Sequence, residues 1–281
     1  MNENFARELL ELHTVGVDAG YTQQDIVEVA RAFTGWTIDG PRAGGGFRFD
    51  ARMHDCGEKV VLGQRIAPGG GKSDGDQVLD VLARHGSTAR FIATKLARRF
   101  VSDTPPRALV DRAAARFRET DGDIREVVRT ILRSPEFFAP EAYRAKVKTP
   151  LEFIASAVRI TGASIDHARP LVQALRELGM PAYLAQPPTG YEDEAAAWVN
   201  AGALVNRMNF ALSLVSNHLR GVTVDPQTLA AADDPDEARQ HLMKTILGDD
   251  VSQATRAALA RNRDLTELAA LTIGAPEFQK K

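Results

Sequence analysis

Apolar side chains return at intervals of three and four residues through most of the chain, the spacing that lines one face of an α-helix. The pattern predicts helices over about 3–14, 22–35, 76–85, 88–101, 105–118, 123–133, 150–161, 167–178, 194–218, 235–247, 251–260 and 264–273. Their starts carry a chemical mark. Proline at a first helical position needs no N–H, and a Ser, Thr or Asp before it can cap the helix with its side-chain oxygen. Thr104-Pro105, Ser134-Pro135, Thr149-Pro150, Asp225-Pro226 and Asp234-Pro235 fit this device. Thr149 with Glu152, Asp234 with Glu237, Asp123 with Glu126 and Asp264 with Glu267 add the reciprocal carboxylate of a capping box. The expected fold class is all-α, an irregular multi-helix array.

The helical period lapses over 37–75, a stretch rich in glycine. Phe47-Arg48-Phe49-Asp50 and Lys59-Val60-Val61-Leu62-Gly63 have strand-like composition and turn residues around them, so this Gly-rich loop is expected to hold a short β-hairpin pinned on the helices. A loop of this length inside a compact domain is usually functional or mobile. Residues 123–137 laid over 264–278 share Asp, Glu and a terminal Pro-Glu-Phe, which suggests either a repeated helical subdomain or two independently capped helices. Gln186-Pro187-Pro188-Thr189-Gly190-Tyr191 is the best hinge candidate, because two prolines stiffen it and Gly190 permits a turn. The domain organisation expected from this is a helical domain at 1–186, holding the loop at 37–75, and a C-terminal helical subdomain at 187–281.

Composition narrows the function classes. The 281 residues are 44% hydrophobic and 26% charged, inside the ordinary globular range. Lys and Arg number 35 against 37 Asp and Glu, a formal charge of -2 with no block of like charges, so neither nucleic acid nor an anionic membrane surface is an expected partner. No stretch approaches the roughly 20 apolar residues that span a bilayer, and Met1-Asn2-Glu3-Asn4 lacks the basic and apolar regions of an export signal. The single cysteine, Cys56, excludes an internal disulfide and a Cys-rich zinc cage.

The sharpest polar cluster is His54-Asp55 with Lys59. An imidazole beside a carboxylate can ligate a divalent metal or work as acid and base near neutral pH. Adjacent residues of an extended segment face opposite ways, so His54 and Asp55 meet on one ion only if a turn lies between them. The structural alternative makes Asp55 a turn cap through Gly57, with His54 bonded to a backbone carbonyl, and is the favoured one. His13 and Glu8 are the nearest further ligands but lie about 140° apart round a helix. Gly69-Gly70-Gly71-Lys72-Ser73 mimics the end of a phosphate-binding loop, yet Ile66 stands where that motif needs its first glycine. A mobile loop with a helix capped near Asp74 is expected instead. Glu119-Thr120-Asp121-Gly122-Asp123 starts like a calcium loop but has Thr130 in place of the bidentate Glu. No nucleophile elbow, His-Glu-x-x-His pair or dinucleotide fingerprint occurs.

Several segments are too specific for generic helix. Asn2-Glu3-Asn4-Phe5-Ala6-Arg7-Glu8-Leu9-Leu10-Glu11-Leu12-His13-Thr14, Phe33-Thr34-Gly35-Trp36, His54-Asp55-Cys56-Gly57-Glu58-Lys59, Ser134-Pro135-Glu136-Phe137, Lys146-Val147-Lys148-Thr149-Pro150-Leu151-Glu152-Phe153, Pro188-Thr189-Gly190-Tyr191 and Pro276-Glu277-Phe278-Gln279 succeed one another in an order that resembles a bacterial family, domain of unknown function eighteen hundred. The resemblance spans nearly the whole chain. It implies that longer members carry an additional N-terminal half, often with an export signal, and that this chain corresponds to their C-terminal portion. It further implies an exported or periplasmic setting for those members, and a partner from a second exported family, domain of unknown function fifteen hundred and one. The expected function is that of a non-catalytic helical interaction protein without a cofactor. The alternative is a metal-assisted enzyme, such as a hydrolase, whose site is built from His54 and Asp55 with help from His13 and from histidines of the additional N-terminal half.

Overall fold

Side-chain caps set where most helices begin in the computed structural model, which describes residues 1–40 and 44–281. Asn2 caps α1 (Glu3–Glu8), which runs on into a π-helical turn at Leu9–His13. Thr22 and Asp25 form a reciprocal capping box on α2 (Gln23–Ala32). Then come β1 (Trp36–Ile38), β2 (Phe47–Phe49), β3 (Lys59–Val61), β4 (Gln64–Ile66), α3 (Ser73–Arg84), α4 (Gly86–Phe100), α5 (Arg107–Glu119) and α6 (Ile124–Leu132). These belong to the first of two compact units, formed by Met1–Phe100 with Thr104–Phe137. Leu10, Ile26, Val29, Val61, Ile66, Val78 and Leu82 are buried together in its core, so the second hairpin packs its inward face with α1, α2 and α3.

The two strand-like runs of the Gly-rich loop do not pair with each other as expected. Phe47–Phe49 lies antiparallel to Trp36–Ile38, with Ile38 opposite Phe47. Lys59–Val61 folds back on Gln64–Ile66. The reason is local: Leu62 and Gly63 both take positive φ, 48° and 77°, which closes a two-residue hairpin turn within the second run.

The second unit comprises Val101–Asp103 and Phe138–Lys281. It holds α7 (Pro150–Ile160), α8 (Arg169–Glu177), α9 (Ala195–Trp198), α10 (Ala201–Val215), α11 (Pro226–Ala230), α12 (Pro235–Leu242), α13 (Gln253–Leu259) and α14 (Leu265–Gly274), with a two-residue ladder between β5 (Ser164–Ile165) and β6 (Val222–Thr223). Phe153, Ile154 and Leu175 share one buried core with Phe210, Leu214, Leu268 and Phe278. That shared core draws on residues from both sides of the proline-stiffened segment 186–191. The helix expected over 194–218 is interrupted, because Asn200 turns extended and accepts a hydrogen bond from the Ala203 N–H to start α10 afresh. No helix among the described residues is long and apolar enough to cross a membrane.

The suspected repeat has a structural counterpart in each unit. Asp123 caps α6 and Asp264 caps α14 through the side chain. Each helix runs into the same turn: Ser134 N–H donates to Ile131 O and Phe137 N–H to Ser134 O, as Ala275 N–H does to Thr272 O and Phe278 N–H to Ala275 O. The Glu of each Pro-Glu-Phe then reaches the preceding helix, Glu136 pairing with Arg112 of α5 at 2.5 Å and Glu277 accepting from Ser252 N–H and Thr255 Oγ1 at the head of α13.

Removing an aspartate N-cap costs about 1 kcal/mol. Asp123→Ala and Asp264→Ala are each expected to lose that much in urea unfolding, and a loss within a few tenths would show that the caps do not hold these helices.

Candidate functional site

The end of α2 prepares the ground for the His54 segment. Thr34 Oγ1 donates to Arg31 O and accepts from Asp55 N–H at 2.8 Å, so one hydroxyl ties the helix end to the loop. Gly35 comes next at φ 81°, and a Cβ there would lie 2.8 Å from Asp50 O and 3.2 Å from His54 Cβ. Only glycine combines that backbone with that closeness. Asp50 caps the 3-10 turn Ala51–Met53 through Arg52 N–H, and the chain leaves the turn extended at His54.

His54 and Lys59 converge, and the carboxylate that joins them is Asp74 in the first turn of α3. Asp74 Oδ2 lies 2.7 Å from Lys59 Nζ and 3.1 Å from His54 Nε2, and the three side chains are 0–1% exposed. Lys59 fills its other donor positions with Asp55 O at 2.5 Å and Gly57 O at 2.9 Å. Asp74 Oδ1 is buried without a partner among the described residues. The helix N-terminus favours a negative charge there, and Gly70 leaves room for it, since a Cβ at Gly70 would stand 2.1 Å from Oδ1. His54 Nδ1 lies 2.8 Å from Thr34 O, which can only accept, so Nδ1 carries a proton.

Asp55 turns the other way, as alternation along an extended segment requires. Its carboxylate takes two bonds from Arg31, Nε to Oδ2 at 2.9 Å and Nη2 to Oδ1 at 3.1 Å, and also caps Gly57 N–H. The Arg31 hydrogen bonds and the Gly57 amide hold its pKa well below the usual carboxylate range against the opposing effect of burial, and the same pairing pushes the Arg31 guanidinium up. Arg31 Nη1 also meets Glu28 Oε2 at 2.7 Å. Glu28 in turn accepts from Val60 N–H, and Asp25 accepts from Leu62 N–H at 2.7 Å. The second hairpin is thus fastened to α2 along its length, so the loop expected to be mobile is densely bonded here.

His13 is not part of this arrangement: it ends the π-helical turn, is exposed, and makes no hydrogen bond to His54, Asp55 or Lys59. Cys56 is exposed, its thiol 3.8 Å from His54 O. The phosphate-loop mimic is closed electrostatically, with Asp74 and Asp76 in the first turn of α3 and Lys72 paired to Asp76 at 2.7 Å. Among the described residues no group of three or more His, Cys, Asp and Glu is placed to hold a metal ion. The sequence pattern does not single out Asp74, Glu28 or Arg31. A lone Asp at a helix start signals a cap, and nothing in its spacing points to a lysine fifteen positions earlier.

The chain belongs to the family described as protein of unknown function (DUF1800), whose model matches residues 1–280. No curated protein and no solved structure matches it.

Two predictions separate the two branches of this cluster. Lys59→Met takes the ammonium from the buried Asp74 carboxylate and leaves it His54 alone as a partner among the described residues, which costs up to about 3–5 kcal/mol. Denaturant unfolding should recover a large part of that in Lys59→Met/Asp74→Leu, and a Lys59→Met loss below about 1 kcal/mol would refute a buried ion pair. Asp55 has its folded pKa depressed, so its stabilisation is whole above the unfolded value of about 4 and is lost as pH falls below it. The melting-temperature gap between the wild type and Asp55→Asn should therefore be full at pH 7 and shrink steadily below pH about 4. A gap independent of pH would mean that the Arg31 pair contributes nothing.

Proposed function

We propose that the protein is a helical interaction module of a bacterial exported system, and that it binds a partner from the exported family domain of unknown function fifteen hundred and one through the face of its first hairpin. The observation that carries this is an aromatic row. Phe5, Phe33, Trp36 and Phe47 contact one another edge to face in sequence, at centroid distances of 5.4, 5.0 and 5.1 Å. Phe33 lies in the core, whereas Phe5 and Phe47 at the two ends are 48% and 54% exposed. Ile38, directly across the ladder from Phe47, is 63% exposed. Rigid aromatic side chains anchored in a core and open at the surface supply binding area at little entropic cost. Lys72 Nζ stands 5.6 Å from the Trp36 ring and 5.9 Å from that of Phe47, giving the row a charged rim.

The buried polar cluster fits the role of a fastener in this reading, since it is shut off from solvent and holds the hairpins on α2 and α3. The alternative, a metal-assisted enzyme such as a hydrolase, needs His54 and Asp55 to converge on one divalent ion. Their side chains run instead to Asp74 and to Arg31, and the Lys59 ammonium opposes a cation beside Asp74.

The test is isothermal titration of the purified chain with a purified member of that partner family from the same genome. Binding should weaken roughly thirtyfold or more in Phe47→Ser and Ile38→Ser, in the range of interface anchors, and be unchanged in Val172→Ser, an exposed apolar position of the second unit. Absence of a complex, or equal binding by all variants, would overturn the reading. A metal-dependent rise in melting temperature lost in both His54→Ala and Asp55→Ala would put the metal-assisted enzyme in its place.

A further inference from the structure

A backbone pairing in the second unit brings several cations together, although the unit as a whole is not basic. Residues 146–148 pair with 279–281, Val147 bridging Lys280, while Lys148 N–H donates to Gln279 O and Lys281 N–H to Lys146 O. The pairing gathers cations from both ends of the unit. Lys146 is matched by Asp103 at 2.5 Å. Lys148 has no such partner: among the described residues its ammonium makes no hydrogen bond or ion pair, and it stands 3.7 Å from the Phe278 ring centroid. Arg207, 2% exposed, spends two donors on Gln279 Oε1 and Lys148 O, pairs with no carboxylate among the described residues, and lies over Phe153. Arg144 gives one nitrogen to Leu247 O, while its Nη1 is buried with no acceptor among the described residues. The carboxylate that acts on Lys148 is Glu152, already engaged by the Thr149 N–H of the α7 cap and by Lys281.

Burial lowers the pKa of Lys148 to about 8, and Arg144, Arg207 and Lys281 push it the same way while Glu152 opposes them. Burial likewise brings Arg207 down to about 10. Partly buried cations that repel one another, with donors left over, are unfavourable unless an anion joins them. Cation–π contact with Phe278 and Phe153 offsets part of this, but it satisfies no hydrogen-bond donor.

We propose that Lys148 and Arg144 form a binding site for a phosphoryl dianion, with Arg207 and Lys281 supplying further positive charge behind them. A dianion suits Lys148, Arg144 and Arg207, none of which forms an ion pair with a carboxylate among the described residues, better than a carboxylate ligand would, and arginine matches its oxygens with paired donors. Such a site takes a single phosphoryl group and needs no extended basic surface, so it is compatible with the near-neutral chain.

The test is a thermal melt and calorimetric titration of the full chain with inorganic phosphate, and in parallel with glycerol phosphate, each against sodium chloride at equal ionic strength. Phosphate should raise the melting temperature by a few degrees. Lys148→Met should weaken phosphate binding by about tenfold or more and leave the melting temperature without phosphate unchanged or higher, because an unpaired charge has been removed. Arg144→Gln should weaken binding similarly. Affinity should fall between pH about 8 and 9.5, as Lys148 loses its proton while phosphate keeps its charge. Tighter binding of glycerol phosphate would identify the ligand as a phosphate ester, and tighter binding of inorganic phosphate as the free ion. No rise over sodium chloride, or a rise undiminished in both variants, would overturn the proposal. So would a Lys148→Met chain destabilised to the same degree with and without phosphate, which is the behaviour of a structural cation–π contact.

Discussion

Lys59 and Asp74 are both withdrawn from water, and the first unit is organised by what that withdrawal demands. Removing two such ions from solvent costs several kcal/mol for each, and mutual attraction offsets this only when every remaining donor is met. Lys59 therefore needs three acceptors, and finds two of them in the carbonyls of Asp55 and Gly57. That requirement fixes the backbone of the turn between the hairpins. His54 approaches the same carboxylate and is held from behind by Thr34 O, which fixes the end of α2. Glycines at 35 and 70 sit where a Cβ would collide with this assembly. A desolvated ion pair thus specifies a conformation more than it adds stability, and the loop that carries it gains a unique path across the helices.

Asp55 shows why neighbouring polar residues need not share a task. One residue along from His54, its side chain points away from the buried pair and into the half-buried Arg31 and Glu28 network. Its carboxylate stays solvated in part, so each contact there is worth less than the buried ones. Together with the bonds from Val60 N–H and Leu62 N–H to acidic side chains of α2, that network satisfies the outward edge of β3. An unpaired strand edge is a liability, and here acidic groups on a helix cover it.

Helix positions were legible because caps and apolar spacing are local. Thr149 with Glu152 forms the reciprocal cap its sequence suggests, and Asp123, Asp234 and Asp264 accept from the amides expected of them. Strand partners were not legible in the same way, since Trp36–Ile38 carries too few residues to show a period of two. The shared core of the second unit was hidden for a different reason. Gln186–Tyr191 has the chemistry of a linker, but membership of a unit is decided by which apolar faces meet, and Phe153 meets Phe210 and Phe278 far along the chain. Of the candidate site, the meeting of His54 and Lys59 was readable only as a cluster of polar residues. The carboxylate between them comes from a helix whose sequence advertises nothing but its own start.

The two Pro-Glu-Phe turns separate local geometry from partner choice in the same way. Both place a carboxylate against the preceding helix, yet Glu136 finds a guanidinium while Glu277 finds an amide and a hydroxyl. The turn fixes where the oxygen stands, and the partner is whatever donor the neighbouring helix offers. The residues just beyond each turn differ more. After Phe137 the chain places Phe138 with 74% of its surface exposed. After Phe278 it places Gln279, which is buried, orients Arg207 and pairs its backbone with Lys148. The charge cluster of the second unit is thus built on an extension that the first unit does not share. A common turn supplies the scaffold, and the residues next to it decide whether that scaffold ends in an exposed ring or in buried, unneutralised charge.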